Sequence, residues 1–242
     1  MTKAKPKDPT PWELAEFAVA HNNRVLMYGL PGTGKTYFGL THAIKTTAYR
    51  LICTEEMTDA DLIGCYKQND KGTWTFHEGV GIRAWREGAR LVVDEINRMN
   101  GDVESRMMAL IDSHASSSWQ HPDTGEVVKP DSKFSVVATM NGEPEDLAPA
   151  ILDRLTVRIA ISQPNPNALL ALPEYLRGIA TKWTDRDAYP RYSLRSFVDF
   201  HAMNTSSANL EMSARVAFGP QWKELNDFLL VNTSKLDNGT ER

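Results

Sequence analysis

The chain is short of the features that usually announce a chemistry at once. Its two cysteines, Cys53 and Cys65, stand twelve residues apart with no C-x-x-C pair and no zinc spacing. That excludes a disulfide framework, and both read as reduced cytosolic thiols. The six histidines (His21, His42, His77, His114, His121 and His201) form no H-E-x-x-H or comparable set, so none marks a zinc-type centre. At the N-terminus Lys3, Lys5, Pro6, Lys7 and Pro9 are followed by no apolar stretch, so neither a signal peptide nor a membrane anchor is expected there. Glycosylation needs a secretory route, which nothing in the sequence supports, so the sequons at Asn204, Asn232 and Asn238 read as chance. Positive charge is not in excess either. A net charge of −4 gives no broad electrostatic reason to expect nucleic acid as a partner. There is no internal repeat, no long low-complexity segment and no N-K-x-D guanine motif.

What remains is an ordinary globular composition, 41% hydrophobic and 24% charged over 242 residues, enough for one sizeable core and a small second domain. The most informative stretch is GLPGTGKT, Gly29 to Thr36, after the β-type run Arg24 to Tyr28. It fits G-x-x-x-x-G-K-[ST]. Gly29, Gly32 and Gly34 allow a tight turn with inward N–H groups, and with Pro31 and Thr33 they form a nest for phosphate at a helix N-terminus. Lys35 then reaches the β and γ phosphates, and the Thr36 hydroxyl holds Mg²⁺.

A second chemical signal closes the run Arg90-Leu91-Val92-Val93, which leads directly into Asp94-Glu95. Burying unpaired charge at the end of an apolar strand is costly, so two carboxylates there point to a Walker B arrangement. Asp94 would support Mg²⁺ through its water shell, and Glu95 would orient or polarise the attacking water. The strand Phe134 to Thr139 exits at Asn141, an amide placed to hold that water.

Elements in between follow from pattern. Thr10 and Pro11 cap a short helix, Trp12 to Ala20. Tyr37 to Lys45 reads as a helix and Tyr49 to Thr54 as a strand, giving a β-α-β unit and a parallel sheet. Hairpins are expected at about 65–76, around Asn69-Asp70-Lys71-Gly72, and at about 117–128, around Pro122 to Gly125. Trp74 and Phe76 on the first could touch a partner or pack back on the domain. Leu147 to Leu155 reads as a helix and Thr156 to Ile161 as a strand. Residues 1–9 form a solvated tail and 10–163 the core, with the boundary in Gln163 to Asn167. Residues 164–242 form helices over Ala168 to Trp183, Ser193 to Met203, Leu210 to Val216 and Gln221 to Val231, the last with Trp222, Leu225, Phe228 and Leu229 on one face. They are too few for a large core of their own and make a lid.

In order along the chain, GLPGTGKT, DLIG (Asp61 to Gly64), EGVGIRAWREGA (Glu78 to Ala89), LVVDEINR, ATMN (Ala138 to Asn141) and AILDRL (Ala150 to Leu155) resemble the AAA+ ATPases. The likeness is to their MoxR-like, dynein-related group, which includes chelatase motor subunits and the gas-vesicle ATPase. It covers roughly residues 20 to 200. It implies a P-loop αβα sandwich with a mostly parallel five-stranded sheet and a small α-helical lid, an ATP-hydrolysing, Mg²⁺-dependent ring of six subunits, and a chaperone-like action on a separate client protein. The hairpins then correspond to the helix-2 insert and the pre-sensor-1 hairpin. Asn141 becomes sensor 1, Arg154 the arginine finger with Arg158 competing for that role, and Arg195 sensor 2, acting in cis or in trans.

Leu155 replaces the group's aromatic after the finger, and Gly142 to Pro149 is shorter than in many relatives. No von Willebrand factor A domain is appended, so such a protein could be the separate client. A cytoplasmic setting without a membrane is expected, and the acidic balance counts against nucleic acid as a partner. A DNA-directed AAA+ motor and a small-molecule P-loop kinase are the alternatives.

Overall fold

The computed structural model describes residues 8–184 and 192–225. They divide into two compact units: Leu30–Gly34 and the chain from Ile161 onward form the second, and the rest forms the first.

The first unit opens with α1 (Pro11–His21). Thr10 Oγ1 accepts from Glu13 N while the Glu13 carboxylate accepts from Thr10 N, a reciprocal cap with proline at the first helical position. β1 (Arg24–Gly29), α2 (Lys35–Thr41) and β2 (Ala48–Ile52) form the expected β-α-β unit. Helix α2 ends before the expected Lys45 for two reasons. Ala43 turns left-handed at φ 49°, and the Arg90 guanidinium donates to the carbonyls of Gly39, His42 and Ala43, closing the helix's carboxyl end. The buried Arg90 is thereby a helix cap, and its desolvation lowers its pKa.

The chain continues through α3 (Asp59–Leu62), the hairpin β3 (Gly64–Gln68) and β4 (Trp74–Glu78), α4 (Val80–Glu87) and β5 (Arg90–Asp94). A 3₁₀ turn precedes α5 (Gly101–Leu110), then a short hairpin, β6 (Trp119–Gln120) and β7 (Val127–Val128). β8 (Ser135–Thr139), α6 (Pro149–Arg154) and β9 (Val157–Ile161) complete the unit.

The five-stranded sheet runs β2-β5-β8-β1-β9, and the pairs β2/β5, β5/β8 and β1/β8 are parallel. This is the α/β architecture the sequence implies. Every residue of β5 is buried, as a strand covered on both faces requires. On one face Gly39 brings α2 close: a Cβ there would lie 3.2 Å from Val92 and 3.3 Å from Val137. Register decides where chemistry can occur. Ile52 pairs with Asp94, Val93 with Ala138, and Met27 with Thr139, so the carboxyl ends of four strands stand level. Such an edge is where open α/β sheets place ligands.

In the second unit the expected helix over Ala168 to Trp183 is two helices, α7 (Pro166–Leu169) and α8 (Glu174–Thr184). Pro173 accounts for the break, since it has no N–H to donate and disfavours helical geometry at Leu172. α9 (Leu194–Ser207) and α10 (Leu210–Phe218) follow. These helices do bury a core of their own, including Leu176, Trp183, Phe197, Phe200, Phe218 and Leu225. Phe228 and Leu229 lie outside the described residues. Among the described residues no helix is long and apolar enough to cross a membrane.

Candidate active site

The glycine-rich loop is built by backbone constraint. Gly29, Gly32 and Gly34 have φ of 112°, 72° and 98°, values that only glycine adopts without strain. Within the second unit, Thr33 is fully buried, and its carbonyl accepts from Asn165 N at 2.7 Å. Gly32 O accepts from Leu194 N at 3.3 Å, and a Cβ on Gly32 would come within 2.3 Å of Ser193 Cβ. Asn165 also caps α7, accepting from Ala168 N at 3.0 Å. Sequence pattern marks Asn165 only as a breaker. Its hold on the loop comes from a contact over a hundred residues away in the chain, for which no local signal exists.

Lys35 and Thr36 open α2 in the first unit, beside the ends of β5 and β8. Lys35 Nζ donates to Gly29 O and to Asn141 Oδ1, each at 3.1 Å. The other end of the same amide, Asn141 Nδ2, donates to Glu95 Oε1 at 2.6 Å. Glu95 Oε2 is buried and accepts no hydrogen bond, although Arg98 Nε lies 3.4 Å away. Glu95 itself is held at φ 56°, ψ 47°, an uncommon left-handed conformation for a residue with a Cβ. A buried carboxylate oxygen with an open acceptor position, on a strained backbone, is arranged to take a proton or to hold a water.

Asp94 faces the other way. Its Oδ1 accepts from Thr36 Oγ1 at 2.8 Å and from Thr139 Oγ1 at 2.6 Å, and its Oδ2 accepts from Arg50 Nε at 3.1 Å and from Arg50 Nη2. Burial pushes its carboxyl up, but the bonds from Thr139, Arg50 and Thr36 and the Arg50 charge together outweigh that and hold it below its ordinary value. Thr36 and Asp94 supply hard oxygen atoms side by side, the donor chemistry that suits Mg²⁺. Among the described residues no cluster of three or more His, Cys, Asp or Glu could hold a metal ion. Burial, then Asp94 and Glu95, push the Cys53 thiol up to about 12, so it stays protonated at neutral pH.

Arg154 and Arg158 are engaged by other groups of the first unit. Arg154 donates to Ala150 O at 2.9 Å and to Asp112 Oδ2 at 3.3 Å. Arg158 is exposed and donates to Leu155 O at 3.2 Å. Arg195 stands on the first turn of α9 in the second unit, exposed. The two hairpins pack on each other. Asp123 accepts from Tyr66 Oη at 2.7 Å and from Phe76 N at 3.1 Å, and the Phe76 and Trp119 rings lie 5.6 Å apart. Arg86 ties Glu78 of the first hairpin to Glu126 of the second. Phe76 therefore packs back on the domain, whereas Trp74 is 62% exposed.

Comparison with known proteins identifies the family of the nucleotide-binding region. The sequence profile of the AAA domain (dynein-related subfamily) matches residues 24–155. Midasin of Dictyostelium discoideum is 32% identical over 131 residues, 53% of this chain and 2% of midasin. An uncharacterised protein of Staphylococcus haemolyticus is 31% identical over 126 residues, 50% of this chain and 47% of that protein. The denitrification regulatory protein NirQ of Stutzerimonas stutzeri is 30% identical over 131 residues, 53% of this chain and 46% of NirQ. The alignments thus span about half the length of the bacterial relatives and a small part of midasin.

Proposed function

The chain belongs to the AAA family, dynein-related subfamily, and on that premise we propose that its site binds ATP with Mg²⁺ and hydrolyses it within a ring of like subunits. Membership implies nucleotide binding. One observation carries the step to hydrolysis: Asn141 joins the phosphate-loop lysine to the Glu95 carboxylate through a single amide. An acceptor carboxylate is thereby held beside the group that neutralises the phosphates.

In this reading the N–H groups of Gly29 to Gly34 cradle the phosphates and Lys35 neutralises them. Thr36 and Asp94 would hold Mg²⁺, which when bound would supply charge neutralisation on the phosphate oxygens. Asn141 fixes the Glu95 rotamer, so that Oε2 accepts a hydrogen bond from the attacking water and draws its proton. Arg195 is the sensor 2 residue of this reading. Arg154, or Arg158 in its place, is the residue that completes a neighbour's site, and Arg154 must first leave Asp112 to do so. Six subunits, a cytoplasmic setting and a separate client protein, of von Willebrand factor A type for instance, extend the same reading.

Phosphate release without any added acceptor separates hydrolysis from a kinase reaction. Subunit cooperation is tested by mixing two inactive proteins, Glu95→Gln and Arg154→Ala. Each carries what the other lacks, so a mixture regains phosphate release if Arg154 acts on a neighbour, and stays inactive if it acts within its own chain. An arginine in that role contributes about 10³-fold or more to the rate.

A further inference from the structure

All the acceptor positions of Asp94 are filled by protein donors. A carboxylate offers roughly four lone-pair sites. Two on Oδ1 are taken by the hydroxyls of Thr36 and Thr139, and those on Oδ2 by Nε and Nη2 of Arg50. A metal-bound water therefore meets no open acceptor, and one donor has to leave before Asp94 can support a cation. Thr139 cannot easily go, being 2% exposed in the middle of the sheet. Thr36 is itself a metal-holding group in the reading above. The Arg50 side chain is 46% exposed and can swing into water at little desolvation cost.

We propose that Arg50 is a displaceable counter-ion: it neutralises Asp94 until a divalent cation arrives with the nucleotide, and then gives up the carboxylate. The inference rests on the Mg²⁺-nucleotide reading. Register explains why the residue on β2 can do this. Ile52 pairs with Asp94 and Arg50 with Val92, so Arg50 stands two residues short of the carboxylate on the same face of the sheet. An extended guanidinium side chain spans that step, and its fork places two donors on one oxygen. Repulsion between the guanidinium and an incoming dication favours the exchange.

The competing account makes Arg50 a permanent anchor that orients Asp94 toward the metal, and the two accounts differ in sign. The experiment uses Glu95→Gln as the parent protein, with a fluorescent ATP analogue bound in EDTA and then titrated with Mg²⁺. Adding Arg50→Met keeps an unbranched side-chain stem and removes the charge. Under the proposal, binding in EDTA is unchanged, which also shows that the variant is folded, and the Mg²⁺ concentration for half-saturation falls about tenfold. Thermal stability without cation falls as well, and the deficit disappears with Mg²⁺ and nucleotide. An unchanged or raised Mg²⁺ requirement overturns the proposal. A second readout needs no substitution at Arg50: its Nε–H resonance in the parent protein should be protected in EDTA and exchange with solvent once Mg²⁺ and nucleotide are bound. Protection in both states also overturns it. If the parent binds no nucleotide in EDTA or Mg²⁺, the nucleotide reading itself falls, and the counter-ion proposal with it.

Discussion

Asn141 Nδ2 lies 2.6 Å from Glu95 Oε1, and the amide is oriented by what its other end does, because Asn141 Oδ1 accepts from Lys35 Nζ at 3.1 Å. The amide cannot turn over without setting donor against donor at Lys35. Replacing it frees the Glu95 carboxylate but leaves the loop glycines and Lys35 in place. Asn141→Ala should therefore lower phosphate release about 100-fold while nucleotide affinity changes by about threefold or less. Steady-state kinetics and a nucleotide titration check both halves.

Glu95 stores backbone strain at φ 56°. Glu95→Gly and Glu95→Ala both remove the carboxylate and differ only in a Cβ that this conformation disfavours. The glycine variant should be the more stable by about 1 kcal/mol in chemical denaturation, with both proteins inactive. Equal stability would mean that the left-handed geometry relaxes freely.

Gly32 is limited twice, by its φ of 72° and by Ser193, whose Cβ would lie 2.3 Å from an added methyl. Gly32→Ala should cost about 2 kcal/mol and weaken nucleotide binding. Ser193→Gly in the same chain removes the collision but not the conformational strain. Denaturation of the single and double variants should show partial rescue, not full rescue.

The lowered pKa of Asp94 gives a pH dependence with a defined sign. A carboxylate held below its ordinary value of 3.8 contributes stability that is complete above that value and is lost as pH falls through the folded-state pKa. Wild type should exceed Asp94→Asn in stability by a constant margin at neutral pH. Denaturation midpoints taken from about pH 5 down to about pH 3 should show that margin shrinking. A margin that grows on acidification contradicts the assignment.

Much of this molecule could be read from local pattern. The β-α-β unit, the glycine-rich loop, the acids after β5 and both hairpins each have a signal within a few residues, and Thr10, Pro11 and Glu13 together predict the start of α1. Lost from view were consequences of distant pairing. The hydroxyl that Thr139 gives to Asp94 and the reach of Arg50 across from β2 depend on strand order and register, and the grip of Asn165 on Thr33 joins loops far apart in the chain. The length of α2 escapes local pattern for the same reason, since its cap, Arg90, lies on β5. By contrast the break at Pro173 was legible in principle, and the helical period of the surrounding residues obscured it.

Glu95→Gln tests the central claim most directly, because it keeps the size of the side chain and removes only the base. With Mg²⁺ and ATP, the account predicts nucleotide affinity close to that of wild type and phosphate release reduced by about 100-fold or more. Phosphate release equal to wild type would contradict it and remove Glu95 from the reaction.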